Sequence, residues 1–560
     1  MSKESPHPRT LVSSRPRALG FWVSAALILG LCYLAVSAWG FGFSGFPLDD
    51  AWIHQTYARN LARSGQLAFV PGVPSAGSTA PLWSFLLSLG YLVGIPFKIW
   101  TYGLGLILLG LTAWTVTRLS LRLFPEQPGV GLWAGLFCLF EWHLIWAAVS
   151  GMETILFVWL SLFLVERYVA TKRMANQRID ECSDGNSPFA HSPFAGFGLG
   201  LIGGLLILTR PEGLGLVGLV GLDMAYNWWR QRRELLGTEG TAGNSKVPGA
   251  PTSSYEFPLL RAWLWLAAGV VLLLAPYIAF HLWATGLPFP NTFYAKQAEY
   301  RAILDHFPLW QRLFGTFGEP VETVQGVFRV IFTGAQFLLL PGLLFAAWLA
   351  FKERRTGLIL IWLWWVSFLL LYGLRLPVTY QHGRYQIPAI AWVILLGVWG
   401  TARLLQKMPD RNVALRALSR AWVLSLAVLA LAFTAIGAQA YGRDVRFIES
   451  EMVVTARWLD SQTPPDALIA AHDIGAIGYF AQRPLIDLAG LITPEVIPII
   501  RNEAALLDFI RSRQADYLVT FPSWYPELTR NSKLSRLYST GSSYAPQAGS
   551  DNMTVYKVSQ

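Results

Sequence analysis

Two adjacent carboxylates, Asp49 and Asp50, follow the first long apolar stretch of this 560-residue chain, in the segment GFPLDDAWIHQTYARN. A carboxylate held at a helix start can accept a proton from a substrate hydroxyl. The same pair can also serve the helix itself, since Asp49 suits an N-cap and Asp50 favours the positive end of the helix dipole. Two neighbouring Asp side chains can also bind a divalent cation. These residues alone leave all three uses open.

Isolated cations at the ends of apolar segments are the second chemical feature. Arg210 lies in TRPEG, Lys296 ends PNTFYAK, and Arg384 lies in QHGRYQ. Ionisable groups at such depth are costly and normally face a cavity, and an arginine fork suits phosphate oxygens. Each also has a structural explanation, such as an Arg210–Glu212 pair that locks a turn or a lysine that reaches the membrane surface. The pattern favours an anion-binding role most for Arg384.

Further polar residues in the same segments are candidates for contacts to a substrate. They are His54, Tyr57, Glu153, Glu212, Asn291, Tyr294, His382, Tyr385, His472 and Asp473. Glu153 follows a glycine at the start of an apolar segment, so it can equally be a helix-start carboxylate. His472 and Asp473 precede a glycine-marked turn, for which a structural role is an equal alternative.

The composition indicates the kind of protein that must position these residues. The chain is 53% hydrophobic and only 14% charged, whereas a soluble domain carries about 25% charged residues. Its 14% aromatic content suits the boundary between water and lipid. The net charge of +10 comes from basic residues in short loops between apolar segments, so it indicates membrane topology and no nucleic-acid partner.

Eleven apolar segments are long enough to be membrane spans, for which about 20 residues are needed. They lie near residues 19–41, 99–117, 131–149, 154–171, 195–209, 212–228, 261–283, 326–350, 357–374, 385–403 and 421–440. If 81–97 does not span, every basic cluster falls on the side of the N-terminus, as the positive-inside rule requires. The sequence therefore predicts a cytoplasmic tail at residues 1–18 and an outer C-terminus.

The predicted fold is an all-α polytopic membrane domain, residues 19–440, followed by a small extracytoplasmic α/β domain, residues 441–560. The first outer loop covers residues 42–98. Short β-like runs at 467–471, 484–489 and 515–520 alternate with turns marked by Gly or Pro in the C-terminal part. With this topology, all the candidate residues share the outer side.

The ordered motifs LDD, SGMET, RPEG, PNTFYAK and DIGAIGYFAQRPLIDLAGLITPEV resemble those of the GT-C superfamily of integral-membrane glycosyltransferases. Within it they are similar to a bacterial group that includes terminal arabinofuranosyltransferases and mannosyltransferase-like proteins. The resemblance implies a multi-pass enzyme of the bacterial plasma membrane. Its donor would be a sugar on polyprenyl phosphate, and its acceptor a hydroxyl of a glycan, lipid or protein.

The same resemblance implies roles for individual residues. Asp49 would be the general base of an inverting transfer, and Asp50 would orient the acceptor or bind a metal. Arg384, Lys296 or Arg210 would hold the phosphate of the departing lipid. No cofactor is required, although a divalent cation between Asp49 and Asp50 stays open.

Three alternatives accompany this hypothesis. A transporter or flippase of lipid-linked sugars would usually show inverted repeats and paired broken helices, and the sequence shows one break, at Pro211, without a partner. A non-catalytic scaffold would leave Asp49, Asp50 and Arg384 apart, each satisfied locally. An oligosaccharide ligase acting on a polyprenyl diphosphate would need more basic residues around two phosphates.

Overall fold

The computed structural model describes residues 15–75, 77–181, 193–239, 257–316, 325–408 and 412–559. Most of the predicted tail at residues 1–18 lies outside these ranges.

The described residues up to 285 are mostly helical. Its helices are α1 Arg15–Ala35, α2 Asp49–Ser64, α3 Pro81–Leu92, α4 Phe97–Leu123, α5 Pro128–Phe140, α6 Trp142–Val149, α7 Thr154–Glu181, α8 Pro193–Thr209, α9 Gly213–Glu239 and α10 Phe257–Thr285. A short hairpin of β1 Ala68–Val70 and β2 Val73–Pro74 follows α2.

Short helices follow α10 before long ones return. They are α11 Asn291–Glu299, α12 Arg301–His306, α13 Leu309–Phe314, α14 Val327–Val330, α15 Leu340–Lys352, α16 Thr356–Arg375, the four-residue turn α17 Tyr380–Gly383, α18 Ile390–Gln406, α19 Val413–Ile448 and α20 Val454–Gln462.

Eight helices in the described part of the chain are long and apolar enough to cross a membrane, and a bent pair would make a ninth. The chain is therefore a multi-pass membrane protein, as predicted. Two of the eleven predicted segments, 195–209 and 212–228, are helical but are not among these nine. The predicted segment 326–350 gives a shorter span, Ala335–Lys352. The number of eleven spans stays a prediction.

The bent pair consists of α5 and α6, whose axes differ by 56° at Glu141. Glu141 ends α5 and caps α6, since its side chain accepts a hydrogen bond from the Leu144 N–H at 2.9 Å. A helix that changes direction leaves backbone donors to be satisfied, and the buried carboxylate does this.

Residues 81–97 form no complete span. Helix α3 has only 12 residues, which corresponds to about 18 Å at 1.5 Å per residue, against a hydrocarbon core of about 30 Å. Its N1 position is Pro81, whose missing N–H removes no helical hydrogen bond. Helix α3 packs against α2, and both lie at the end of the bundle that carries the C-terminal domain.

The C-terminal domain is built on a five-stranded sheet in the order β4-β3-β5-β7-β6. Its elements are β3 Ile469–Ala471, β4 Leu485–Asp487, α21 Glu503–Ser512, β5 Tyr517–Thr520, β6 Leu534–Ser539, α22 Tyr544–Gln547 and β7 Thr554–Val558. The three β-like runs predicted from the sequence correspond to β3, β4 and β5, which are parallel neighbours. Strands β6 and β7 pair antiparallel at the other edge and were not predicted.

The domain is continuous with the membrane bundle. Helix α19 runs for 36 residues through the predicted boundary at residue 441. Just beyond it, the buried Glu451 accepts a hydrogen bond from the Met553 N–H at 2.9 Å, next to β7. These contacts fix the sheet above the bundle, so that its loops can meet α2 and α11.

Candidate active site

A cavity of about 370 Å³ opens between the membrane bundle and the elements under the C-terminal domain. Eight of the residues predicted from the sequence line this cavity: Asp50, His54, Glu153, Arg210, Glu212, Lys296, Arg384 and Tyr385. They come from α2, from the residue before α7, from the turn between α8 and α9, from α11 and from the segment before α18. The fold thus brings together positions that are up to 335 residues apart in sequence.

The three predicted cations meet on one aromatic ring, that of Tyr385. The ring centroid lies 4.8 Å from Arg384 Cζ, 4.9 Å from Lys296 Nζ and 5.4 Å from Arg210 Cζ. Arg384 Nη2 donates to the Tyr385 hydroxyl at 2.9 Å, and Lys296 donates to the same oxygen. Three cations so close together repel one another, so a bound anion would relieve that repulsion. Arg210 Nη1 and Arg384 Nε are buried with no hydrogen-bond partner.

Asp50 is the carboxylate that faces this cluster. It lies in the first turn of α2, and its Oδ2 is 2.6 Å from Arg384 Nη1. Burial would raise the pKa of Asp50, but the charges of Arg384 and Lys296 outweigh it and hold the pKa at about 2. Since 34% of the Asp50 side chain is exposed, an ionised oxygen is available to a molecule in the cavity.

Asp49 has a different environment. Its Oδ2 accepts from the Gly475 N–H at 2.6 Å and its Oδ1 from the Ala476 N–H at 2.8 Å. Its side chain is buried and does not line the cavity. Burial raises the pKa of Asp49 from 3.8 to about 7, against the effect of the two N–H donors. Asp49 therefore ties the C-terminal domain to α2.

The N-cap role considered for Asp49 is wrong. Leu48 occupies the N-cap of α2, without a side-chain hydrogen bond, and Asp49 is already the first helical residue. Its carboxylate instead caps the turn after β3, more than 420 residues along the chain. A sequence pattern cannot reveal such a long-range cap.

Glu153 joins two sides of the cavity. Its Oε2 lies 3.3 Å from His54 Nε2 and its Oε1 lies 3.0 Å from Arg210 Nε. His54 is four residues after Asp50, so the two side chains share one face of α2. Arg210 thus forms its ion pair with Glu153, while Glu212 accepts a hydrogen bond from Tyr372. The network holds Arg210 beside Tyr385.

Replacing Glu153 by Ala is expected to destabilise the bundle, because the buried Arg210 guanidinium loses its carboxylate partner. Removing one partner of a buried ion pair reduces the free energy of unfolding by about 3–5 kcal/mol. Thermal unfolding of the detergent-solubilised protein measures this as a lower Tm. Glu495→Ala is the matched control, since the Glu495–Arg513 pair is half exposed and such pairs contribute about 1 kcal/mol or less. Equal Tm values for both variants would contradict the expectation.

Six other predicted site residues do not line the cavity: Tyr57, Asn291, Tyr294, His382, His472 and Asp473. Tyr57 is buried and its hydroxyl lies 2.7 Å from Ser75 Oγ. The Asn291 amide donates to the Leu491 carbonyl at 3.3 Å. Both therefore support segments around the cavity, and Leu491 itself lines it.

His382 lies in the turn Tyr380–Gly383, where the backbone departs from helical geometry. Gln381 and His382 have φ values of 52° and 60°, in the left-handed region. His382 Nε2 is 2.8 Å from Asp444 Oδ2, and its ring packs against Trp142 and Trp146. The strained turn thus separates His382 from its neighbour Arg384, which faces the cavity.

Several lining residues were not predicted, among them Thr292, Gln297, Tyr372 and Arg375. Arg375 ends α16 and is exposed. It is a cation at the outer end of a predicted span, the same signal that identified Arg384. Tyr372, one turn earlier, gives no comparable signal because aromatic residues are common at span ends.

Asp49 and Asp50 do not fit a shared metal ion. The oxygens of Asp49 accept backbone N–H groups, and Asp50 pairs with Arg384. Among the described residues, no group of three or more His, Cys, Asp or Glu side chains is arranged to hold a metal. No step of the reaction is therefore assigned to a cation held by this pair.

Known structures share this architecture. ArnT from Cupriavidus metallidurans, solved with undecaprenyl phosphate bound, has a TM-score of 0.56 at 13% identity, and the match covers 98% of each chain. The chain has the GT-C fold. The oligosaccharyltransferase AglB from Archaeoglobus fulgidus, in complex with an inhibitory peptide and a dolichol-phosphate, also has a similar fold. That match has a TM-score of 0.54 at 14% identity and covers 90% of this chain and 69% of AglB.

Sequence comparisons add less. Residues 439–556 match a family described as a domain of unknown function (DUF8728). No curated protein sequence matches the chain. The resemblance to the GT-C superfamily predicted from the motifs is confirmed for the fold.

Proposed function

We propose that this protein is a membrane glycosyltransferase that moves a sugar from a polyprenyl-phosphate donor to an acceptor hydroxyl on the outer face of the plasma membrane. The observation that carries the proposal is the convergence of Arg384, Lys296 and Arg210 on Tyr385, with the carboxylate of Asp50 at the same cavity. Cations can stabilise the negative charge of a departing phosphate, and a carboxylate can accept the proton of an acceptor hydroxyl.

The apolar part of the cavity supports a lipid-linked donor. Phe289, Phe293 and Leu371 line it and are 44%, 39% and 42% exposed. Phe289 and Phe293 lie between the end of α10 and the first turn of α11, and Leu371 lies near the end of α16. An isoprenoid chain could pack on these side chains while its phosphate reaches the cations. The ArnT structure contains undecaprenyl phosphate and the AglB structure a dolichol-phosphate, which agrees with this donor class.

For the proton acceptor we propose Asp50. The resemblance alone assigns this role to Asp49, a residue that is only 8% exposed and whose two carboxylate oxygens accept backbone N–H groups. A base must lie within hydrogen-bond reach of the proton that it removes, and geometry comes before pKa in that choice. Asp50, one residue later, lines the cavity and Asp49 does not.

The proposed transfer is a single displacement. The acceptor oxygen bonds to the anomeric carbon of the sugar as its proton passes to Asp50. The bond between that carbon and the phosphate oxygen breaks, and the electron pair leaves with the lipid phosphate. Lys296, Arg384 and Arg210 stabilise the negative charge that develops on that phosphate. Attack opposite the leaving group inverts the anomeric configuration.

Replacing Lys296 by Met is expected to weaken binding of undecaprenyl phosphate, used here as a probe of the donor site. A hydrogen bond to a charged group contributes about 1.5–3 kcal/mol, so the Kd should rise by about tenfold to a hundredfold. Titration of the purified protein in lipid nanodiscs measures the change. Lys98→Met is the control, since Lys98 contacts the Ser44 carbonyl and does not line the cavity. An unchanged Kd in Lys296→Met would remove Lys296 from the phosphate site.

The structure weighs against the scaffold alternative. A scaffold should leave Asp49, Asp50 and Arg384 apart, each satisfied locally. Asp49 does lie apart, held by two backbone N–H groups, but Asp50 and Arg384 pair at 2.6 Å at the cavity. The product that is formed separates an enzyme from a transporter or flippase. An enzyme forms a new glycosidic bond on the acceptor, whereas a transporter moves the intact lipid-linked sugar.

The test of the function uses a strain that lacks the protein. We expect mass spectrometry to detect one polyprenyl-phosphate sugar that accumulates, together with a glycan, lipid or protein that lacks that sugar. The accumulating lipid would identify the sugar, whether arabinofuranosyl, mannosyl or another. Accumulation of a polyprenyl diphosphate oligosaccharide would favour the ligase alternative, and an unchanged lipid profile would contradict the proposal.

A further inference from the structure

Beside the cavity, the C-terminal domain presents a small shelf that the donor site does not use. Strands β3 and β5 are parallel neighbours, so the segments that follow them meet at one edge of the sheet. His472 directly follows β3, and Trp524 and Tyr525 come shortly after β5. The carboxyl edge of parallel strands is where open α/β sheets commonly bind ligands.

The shelf combines aromatic faces with hydrogen-bonding groups. His472 Nδ1 lies 2.7 Å from the Tyr525 hydroxyl, and its Nε2 lies 3.9 Å from Glu299 Oε1. The Trp524 ring packs edge-on against the His472 ring, with the centroids 5.1 Å apart. Tyr525 is buried, but 46% of Trp524 is exposed. The exposed Trp524 indole, with the His472 imidazole and the Tyr525 hydroxyl next to it, offers a flat apolar face and hydrogen-bonding groups to the ring of a ligand.

The shelf is continuous with the donor cavity through α11. Lys296, in the cavity, and Glu299, on the shelf, are three residues apart on this helix and so lie on adjacent turns. On the other side, Asp473 follows His472 and precedes Gly475 and Ala476, whose N–H groups hold Asp49. The shelf therefore adjoins the first turn of α2, from which Asp50 faces the cavity.

We propose that this aromatic shelf, formed by His472, Trp524, Tyr525 and Glu299, is the acceptor subsite and binds a neutral sugar ring of a glycan. The C–H face of a sugar packs on an indole, while its hydroxyls hydrogen-bond to imidazole and carboxylate groups. The carboxylate of the shelf itself, Glu299, lies 3.9 Å from His472, so an anionic sugar is disfavoured there. The proposal rests on the proposed function, because it names the acceptor class of that transfer.

Saturation-transfer NMR tests the proposal on the full-length protein in detergent micelles, without donor. The probes are neutral oligosaccharides of arabinose, mannose, galactose or glucose, with an oligogalacturonate as the acidic counterpart. We expect at least one neutral probe to bind and the oligogalacturonate to bind more weakly. Trp524→Ala should weaken that binding by about tenfold, and Trp524→Phe, which keeps an aromatic face, should retain most of it.

Two controls make the result specific. Trp310→Ala removes an indole of similar exposure, 55%, from α13 and should leave sugar binding unchanged. Undecaprenyl phosphate should bind Trp524→Ala with the wild-type Kd, which shows that the donor cavity is intact.

Absence of binding by every neutral probe, equal binding by Trp524→Ala, or preference for the oligogalacturonate or for an unglycosylated peptide would overturn the shelf proposal. These outcomes differ from failure of the proposed function. That failure appears as an unchanged lipid profile in the deletion strain, whatever the shelf binds.

Discussion

Replacing Asp50 by Asn should reduce sugar transfer by about a hundredfold to ten-thousandfold, the usual contribution of a positioned base. The amide keeps the shape of the side chain but cannot accept the acceptor proton as a carboxylate does. It also removes the negative charge that pairs with Arg384 at 2.6 Å. Single-turnover assays with the purified donor lipid that accumulates in the deletion strain would measure the loss in the rate constant of transfer.

The matched control is Asp305→Asn. Asp305 lies on α12 and is 72% exposed, in an ion pair with Arg301. Its replacement should leave transfer at the wild-type rate. Asp50→Asn should also retain undecaprenyl phosphate binding, since the three cations remain. A transfer rate within tenfold of wild type in Asp50→Asn would exclude Asp50 as the base.

The second large effect is expected from Asp49→Ala, through the position of the C-terminal domain. The variant leaves the N–H groups of Gly475 and Ala476 without the carboxylate that accepts them at 2.6 and 2.8 Å. A hydrogen bond to a charged group contributes about 1.5–3 kcal/mol, so hydrogen exchange at residues 475 and 476 should accelerate by at least about tenfold. Transfer should fall as well, because the same turn places His472 and Asp473 beside the cavity.

A matched control separates this effect from general loosening of the domain. Asp516→Ala removes a carboxylate that accepts the Leu468 N–H at 2.9 Å, at the opposite end of β3. It should accelerate exchange locally without changing transfer. If Asp49→Ala abolished transfer while exchange at residues 475 and 476 stayed slow, Asp49 would act in the chemistry itself.

The sequence could predict that the three cations lie on the same side of the membrane, because the basic residues of the loops indicate the topology. Basic residues in loops identify the cytoplasmic side, so Arg384, Lys296 and Arg210 were predicted to share the other side. All three lie around Tyr385. The same logic would have included Arg375 at the end of α16. A rule about sides, however, does not give distances within a side.

The difference between Asp49 and Asp50 could not be predicted. Consecutive residues of an α-helix are rotated by about 100°, so one carboxylate faces the cavity while the other faces the turn after β3. Which one faces which depends on contacts formed by residues 475 and 476. The position of the His382 side chain could not be predicted either. It depends on the left-handed backbone of Gln381 and His382, and neither residue is a glycine that would indicate such a conformation.

In the C-terminal domain, the three parallel strands with apolar runs were predicted, and the two antiparallel strands were not. Strand β5 is buried along its whole length, as its sequence YLVT indicates. Strand β6, LSRLYS, is mostly exposed and lies at the sheet edge. Edge strands carry polar side chains that resemble loops in sequence, so β6 gave no clear signal. Strand β7, which is mostly buried between β5 and β6, was missed without this reason.

The most direct test of the central claim, that Asp50 is the proton acceptor, is the pH dependence of kcat/KM for transfer. Cations hold the pKa of Asp50 at about 2, whereas burial raises that of Asp49 to about 7. A base must be deprotonated, so transfer that depends on Asp50 should stay constant from pH 8 down to about pH 5. A rate that falls about tenfold per pH unit below pH 7 would instead identify Asp49 as the base and contradict the claim.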